Sequence, residues 1–199
     1  MQSFTRIAAR LALPLALTLG LGGCGVNTIP TKEEAAKAAW AQVENQYQRR
    51  ADLIPNLVAT VQGYAKQEKD VLVEVTKARA SATQVTVDPS KLSDPAAVAK
   101  FEQAQGQLSS SLGRLLVSVE KYPDLKSNQN FLALQSQLEG TENRITIARQ
   151  DYNVAVQDYN TTIRTFPAMI GAKVIYGAKP LTPFKATTVN AQVAPTVKF

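Results

Sequence analysis

One run of residues limits the folds open to this chain more than any other feature. Phe131, Leu138, Ile145, Tyr152, Tyr159 and Phe166 recur every seven residues, and Leu134, Thr141, Ala148, Ala155 and Thr162 fill the alternate positions of the same stripe. A seven-residue repeat split three and four is one face of an α-helix; a strand would alternate every two residues. Large side chains on one row and mostly small ones on the other let neighbouring helices approach closely. Phe166-Pro167 ends the run.

The same spacing appears earlier. Trp40, Val43, Tyr47, Ile54, Leu57, Val61, Tyr64, Val71, Val75 and Ala78 share one seam, interrupted by Arg50 and Glu68. Thr31-Lys32-Glu33-Glu34 has the form of a capping box at its start. Pro55 lies inside the run, where it removes a backbone hydrogen bond and bends a helix. No glycine occurs between Trp40 and Gly63 and the heptad phase is unchanged across Pro55, so the pattern predicts one long helix over about 31–84, kinked at Pro55. Residues 85–94 read as a loop, and Asp94-Pro95 as a helix start. A second helix carries Val98, Phe101, Leu108, Leu112, Leu115, Val119 and Tyr122 up to Pro123. The fold class is all-α: an elongated antiparallel bundle of three long helices with a short apolar segment at Ala168 to Tyr176. A compact four-helix bundle broken at Pro55 is the alternative.

The ends of the chain differ from its body. Arg6 and Arg10 precede an uncharged apolar stretch, Leu11 to Leu21, which Leu21-Gly22-Gly23-Cys24 follows. That length suits a signal peptide and is short for a spanning helix. The Leu-Gly-Gly-Cys ending resembles the lipobox of bacterial lipoproteins, in which the cysteine takes a diacylglyceryl group. The competing reading is an uncleaved membrane anchor, weakened by Pro14 and the glycines. On the lipoprotein reading, residues 1–23 are a signal peptide, 24–30 a lipidated tether, 31–178 the bundle and 179–199 an irregular basic tail. Gly25 after the cysteine points, by resemblance to the sorting rule of enteric bacteria, to a periplasm-facing place on the outer membrane of a diderm host. No acidic residue follows Asp158, whereas Arg164, Lys173, Lys179, Lys185 and Lys198 do.

Three blocks of residues resemble the LemA family. They are Arg49-Arg50-Ala51-Asp52-Leu53-Ile54-Pro55-Asn56-Leu57-Val58 with Gly63-Tyr64, Glu68 and Ala78-Arg79-Ala80; Tyr122-Pro123-Asp124-Leu125-Lys126 with Phe131, Leu134 and Leu138; and Glu142-Asn143-Arg144-Ile145, Arg149, Tyr152-Asn153, Tyr159-Asn160 and Phe166-Pro167. The resemblance covers about residues 35 to 185. It implies a membrane-tethered antiparallel helical bundle and no particular activity. The lipobox in place of a simple N-terminal membrane helix, and the stretch beyond Phe184, depart from the family pattern.

Chemistry is sparse. With no histidine and one cysteine, the commonest general base, the commonest metal ligand and any internal disulfide are excluded. No metal or cofactor is expected. Asp52 and Glu68 lie 16 residues apart, about 24 Å along one helix, too far for an acid pair. Ser109-Ser110-Ser111 has no histidine to activate it. A buried Arg50 or Glu68 needs a partner; Glu142 suits Arg50, and Arg144 or Arg149 suits Glu68. Asn153 and Asn160 follow the two tyrosines at the same spacing. They bind either a partner beside the seam or the neighbouring helix. Basic residues of the body are interleaved with acids and no nucleic-acid motif occurs, so nucleic acid is not an expected partner. The sequence reads as a non-enzymatic scaffold or adaptor of the cell envelope. It would be tethered by a lipid on Cys24 and bind a protein partner, or itself, through its helix faces. The alternative is a binder of anionic polymer or lipid through the basic tail. A single long first helix places that tail away from the membrane; the four-helix alternative returns it to the anchor.

Overall fold

A computed structural model describes residues 27–185. Cys24, Lys198 and the signal-like segment lie outside them. The first helix, α1 (Thr28–Tyr64), runs 37 residues, about 55 Å. It begins a turn before the expected capping box: Asn27 is the N-cap, and the Thr31 hydroxyl donates back to its carbonyl at 2.8 Å. Ile29 is fully buried, so residues 28–30 belong to the bundle rather than to a tether.

The expected 54-residue helix is instead two. α1 ends at Tyr64, and α2 (Lys69–Gln84) folds back along it. The turn at residues 65–68 follows Gly63, a poor helix former. Pro55 lies inside the continuous helix, as the leading reading has it, and not at the break the four-helix alternative places there. Its missing N–H leaves the Ala51 carbonyl without its helical donor, and Arg79 of α2 supplies one, with Nε donating to Ala51 O at 2.7 Å. The proline is therefore tolerated by a contact from the returning helix. Arg79→Met should cost about 1–3 kcal/mol, the range for a buried polar group left unpaired. In a Pro55→Ala background most of that cost should vanish, because the alanine restores a main-chain N–H that donates to the Ala51 carbonyl. Equal costs in both backgrounds, measured by urea unfolding, would refute the account.

Asp88 caps a 3-10 turn (Pro89–Lys91) in the following loop. The Asp94 side chain accepts from the Ala96 N–H at 2.9 Å and starts α3 (Pro95–Val119) as its sequence foretold. After a single turn, α4 (Pro123–Lys126), the Asn128 side chain caps α5 (Gln129–Thr162). The ion pair Lys32–Asp158 at 3.0 Å and the Asn128–Tyr64 hydrogen bond at 2.9 Å mark the two ends of a full-length antiparallel α1–α5 pair. The topology is thus up-down-up-down, with α2 and α3 covering the far part of α1. A cis Phe166–Pro167 bond leads into α6 (Ala168–Gly171) and a π-helical turn (Ala172–Tyr176). Phe166 is not the last seam residue: α5 has already ended, and its ring is 77% exposed.

The core has two parts. One, at the end where the chain enters, gathers Trp40, Val43, Tyr47, Phe101, Tyr152 and Tyr159. The other gathers Ile54, Leu57, Val61, Leu108, Leu115 and Leu138. Between them, Arg50, Gln105 and Thr141 form a buried polar layer.

Candidate functional site

Arg50 defines the polar layer. At 1% exposure its charge must be answered by fixed partners. Nη1 donates to Glu142 Oε1 and to Ser109 Oγ, both at 2.7 Å. Nη2 donates to the Gln105 side chain at 2.7 Å and to its main-chain carbonyl at 3.2 Å. Gln105 passes the network on, donating to Ala82 O at 3.2 Å. One side chain of α1 thereby ties together α2, α3 and α5. The Arg50–Glu142 pairing is the one its sequence suggested. Burial raises the Tyr47 phenol above its ordinary range, opposed by Arg149 and Arg50, so it stays neutral beside the guanidinium, which lies 5.0 Å from its ring centre.

α3 and α5 both pack on their neighbours but hardly on each other. They leave an open cleft with Arg50 on its floor, Ser109 on the α3 wall and Thr146 and Arg149 on the α5 wall; the whole cavity, about 1070 Å³, also takes in Lys77 and Ser81 of α2. Ser109 accepts from Arg50 there. Glu142, on the rim, keeps a side chain 45% exposed.

Where the cleft meets Arg149 and Glu102, a second arrangement begins. Residues 178–185, of which 179–185 belong to the expected irregular tail, lie extended against α5. Gly177, at φ 55°, makes the left-handed turn that releases them from the π-helical turn. Asn160 then brackets Leu181: its amide donates to the Leu181 carbonyl at 2.8 Å and its oxygen accepts the Leu181 N–H at 2.8 Å. Asn153 does the same to Phe184, at 3.1 and 2.8 Å. Tyr152 donates to Thr182 O at 2.9 Å, and the Thr182 N–H reaches Leu92 O at 2.9 Å. Phe184 stacks on Trp40 at 5.3 Å under the Arg149 guanidinium. Glu102 holds Arg149 at 3.2 Å and accepts the Lys185 N–H at 3.1 Å. Burial pushes the Tyr152 phenol well above its usual range, which keeps it a donor. The asparagines therefore read main-chain groups of an extended segment, neither a separate partner nor a helix.

The other singled-out residues fall apart. Glu68, half-buried at the α1–α2 turn, accepts from the Tyr122 hydroxyl at 3.0 Å and meets neither Arg144 nor Arg149. Arg144 is exposed. Asp52 is exposed and accepts from Gln48 at 2.7 Å. Among the described residues, no ion pair holds Arg164, Lys173, Lys179 or Lys185. Gln105, Glu102 and Phe184 escaped the sequence reading. Gln105 stands four residues after Phe101 and three before Leu108, a polar residue at a seam position, and that was its signal. Phe184, alone among Pro and Thr, had none.

Known proteins are similar to this chain in sequence. The family model that matches is that of the LemA family, over residues 39–199. Magnetosome protein MamQ 1 of Paramagnetospirillum magneticum is 27% identical over 157 residues, covering 71% of this chain and 58% of the relative. Magnetosome protein MamQ of Magnetospirillum gryphiswaldense is 26% identical over 161 residues, with the same coverage. Protein LemA of Metamycoplasma hominis is 23% identical over 140 residues, covering 70% of this chain and 60% of the relative. The chain spans about three fifths of the length of the curated relatives it matches.

Proposed function

The chain belongs to the LemA family, and from that premise we propose a membrane-tethered envelope protein that acts as a non-enzymatic adaptor, holding an extended segment of a partner in the cleft between α3 and α5. The observation that carries this reading is the seat of residues 178–185. There an extended polypeptide lies along α5, bracketed through its main chain by Asn153 and Asn160. The cleft opens beyond that seat, with Glu102 and Arg149 belonging to both. Its α3 wall offers the Ser109 hydroxyl and its α5 wall the Thr146 hydroxyl beside the Arg149 guanidinium, groups that pair with a peptide backbone. Among the described residues no helix is long and apolar enough to cross a membrane. Tethering in this reading falls to Cys24 and its lipid, on the periplasmic side of the envelope.

Gly106 provides a test. It lines the cleft, and a Cβ added there meets nothing within 4 Å. Gly106→Trp should fill the cleft without loss of thermal stability, since glycine is the poorer helix former. A photo-crosslinking residue at Thr146 in native envelopes should give one discrete protein adduct, absent in the Gly106→Trp background and absent from Ile147, an exposed position outside the cleft. No adduct at Thr146, or one that survives Gly106→Trp, would dismiss the cleft as the binding site.

A further inference from the structure

Six of the twelve large apolar side chains exposed among the described residues crowd into one short segment: Phe166, Met169, Ile170, Val174, Ile175 and Tyr176. The segment is inverted relative to a water-soluble helix. Gly171 and Ala172 are its buried residues, and its large residues point outward. Ala172 packs in the same cluster as Ile29 of the first turn of α1. The segment therefore caps the end of the bundle where the chain enters. An outward apolar patch of this kind marks a contact surface.

We propose that residues 166–176 form a second membrane contact, a tip that dips into the interfacial region of the bilayer beside the N-terminal anchor. The proposal rests on the membrane-tether reading above. Two further observations select lipid over protein. Cys24 precedes Asn27 by three residues, about 10 Å of extended chain, so an anchor there holds this end of the bundle, and not the far end, against the headgroups. The charges also suit an anionic surface. Near the tip Glu33 and Glu34 pair with Lys37 at 2.9 and 2.8 Å and Asp158 with Lys32 at 3.0 Å. Arg164, Lys173 and Lys179 precede, interrupt and follow the apolar residues along the chain, exposed and with no ion pair among the described residues. Exposed apolar residues interleaved with cations are the composition of segments that lie in the membrane interface.

The test uses the full chain in vesicles of phosphatidylethanolamine and phosphatidylglycerol. Val174→Cys and Val117→Cys place an environment-sensitive fluorophore at the tip and at the opposite end of the bundle, on side chains that are 78% and 70% exposed. The unsubstituted chain serves as the blank for Cys24. The expected result is blue-shifted emission at 174, quenched by doxyl-labelled lipid, with 117 remaining water-like. A chain that is retained on vesicles and takes up a palmitate analogue at Cys24, yet shows 174 as wet as 117, overturns the tip while leaving the tether standing. A blue shift at 174 that doxyl lipid does not quench assigns the patch to protein contact and also overturns it. A chain neither labelled with palmitate nor retained on vesicles removes the tether reading and the tip together.

Discussion

Arg50→Ala should lower stability by about 3 kcal/mol, at the lower end of the range for breaking a buried ion pair. For a chain of this size that is a fall in Tm of about 6–12 °C. The guanidinium makes four hydrogen bonds inside the bundle, and those to a charged group are the strong kind. Its removal strands the buried Gln105 and opens a cavity between two apolar clusters. Glu142 is half in water and recovers part of its hydration, which keeps the figure from the top of the range. Arg50→Lys preserves the charge but not the fork that reaches α3 and α5 together, and should fall between wild type and alanine. Glu68→Ala is the contrast: the carboxylate loses one hydrogen bond from Tyr122 at a partly exposed turn, a change expected below about 1 kcal/mol. Thermal melts of the three variants decide the matter, and an Arg50→Ala loss no larger than that of Glu68→Ala would mean the polar layer does not hold the helices together.

The second large effect belongs to the extended segment. Phe184→Ala should cost about 3 kcal/mol, as deletion of a buried phenylalanine does, and it should register optically. Trp40 is the only tryptophan; its ring is stacked 5.3 Å from Phe184 and buried. Losing Phe184 admits water to the indole and shifts its emission to the red. Asn153→Ala and Asn160→Ala each remove two main-chain hydrogen bonds and should cost about 1–2 kcal/mol apiece, with a smaller red shift. An unchanged Trp40 spectrum in Phe184→Ala would show that residues 178–185 do not rest on the core in solution.

Periodicity made most of the helices legible, because burial of one stripe is a property of the helix itself. Phe131, Leu138, Ile145, Tyr152 and Tyr159 are all buried as their spacing required. Asp94 caps its helix as its position before proline implied. The turn between α1 and α2 was not legible. The heptad phase runs through it unbroken, and the single signal against continuity, Gly63, competed with a proline whose backbone defect is repaired from 28 residues away by Arg79. Such a repair is tertiary and leaves no local trace. The Arg50–Glu142 pair could be proposed because a charge on an apolar seam demands an opposite charge. Glu68 failed by the same logic because its seam position falls at the turn, where water and Tyr122 answer it. The asparagines were visible as a repeat, but what they hold is an extended segment stripped of pattern, which a periodicity argument discards.

The buried arginine also settles a question that the heptads leave open. A stripe that repeats every seven residues looks the same to its partner after sliding by seven, so the long α1–α5 pair carries several nearly equivalent alignments. Arg50 distinguishes them. Seated against Glu142, it finds a carboxylate; one repeat in one direction brings it to Arg149, and one repeat in the other to Gln135. The first juxtaposes two cations and the second leaves a buried charge with no counter-ion. A polar residue on an apolar seam can fix register in this way. The Arg50–Glu142 pair thus serves as an alignment key, cut once into an otherwise periodic edge.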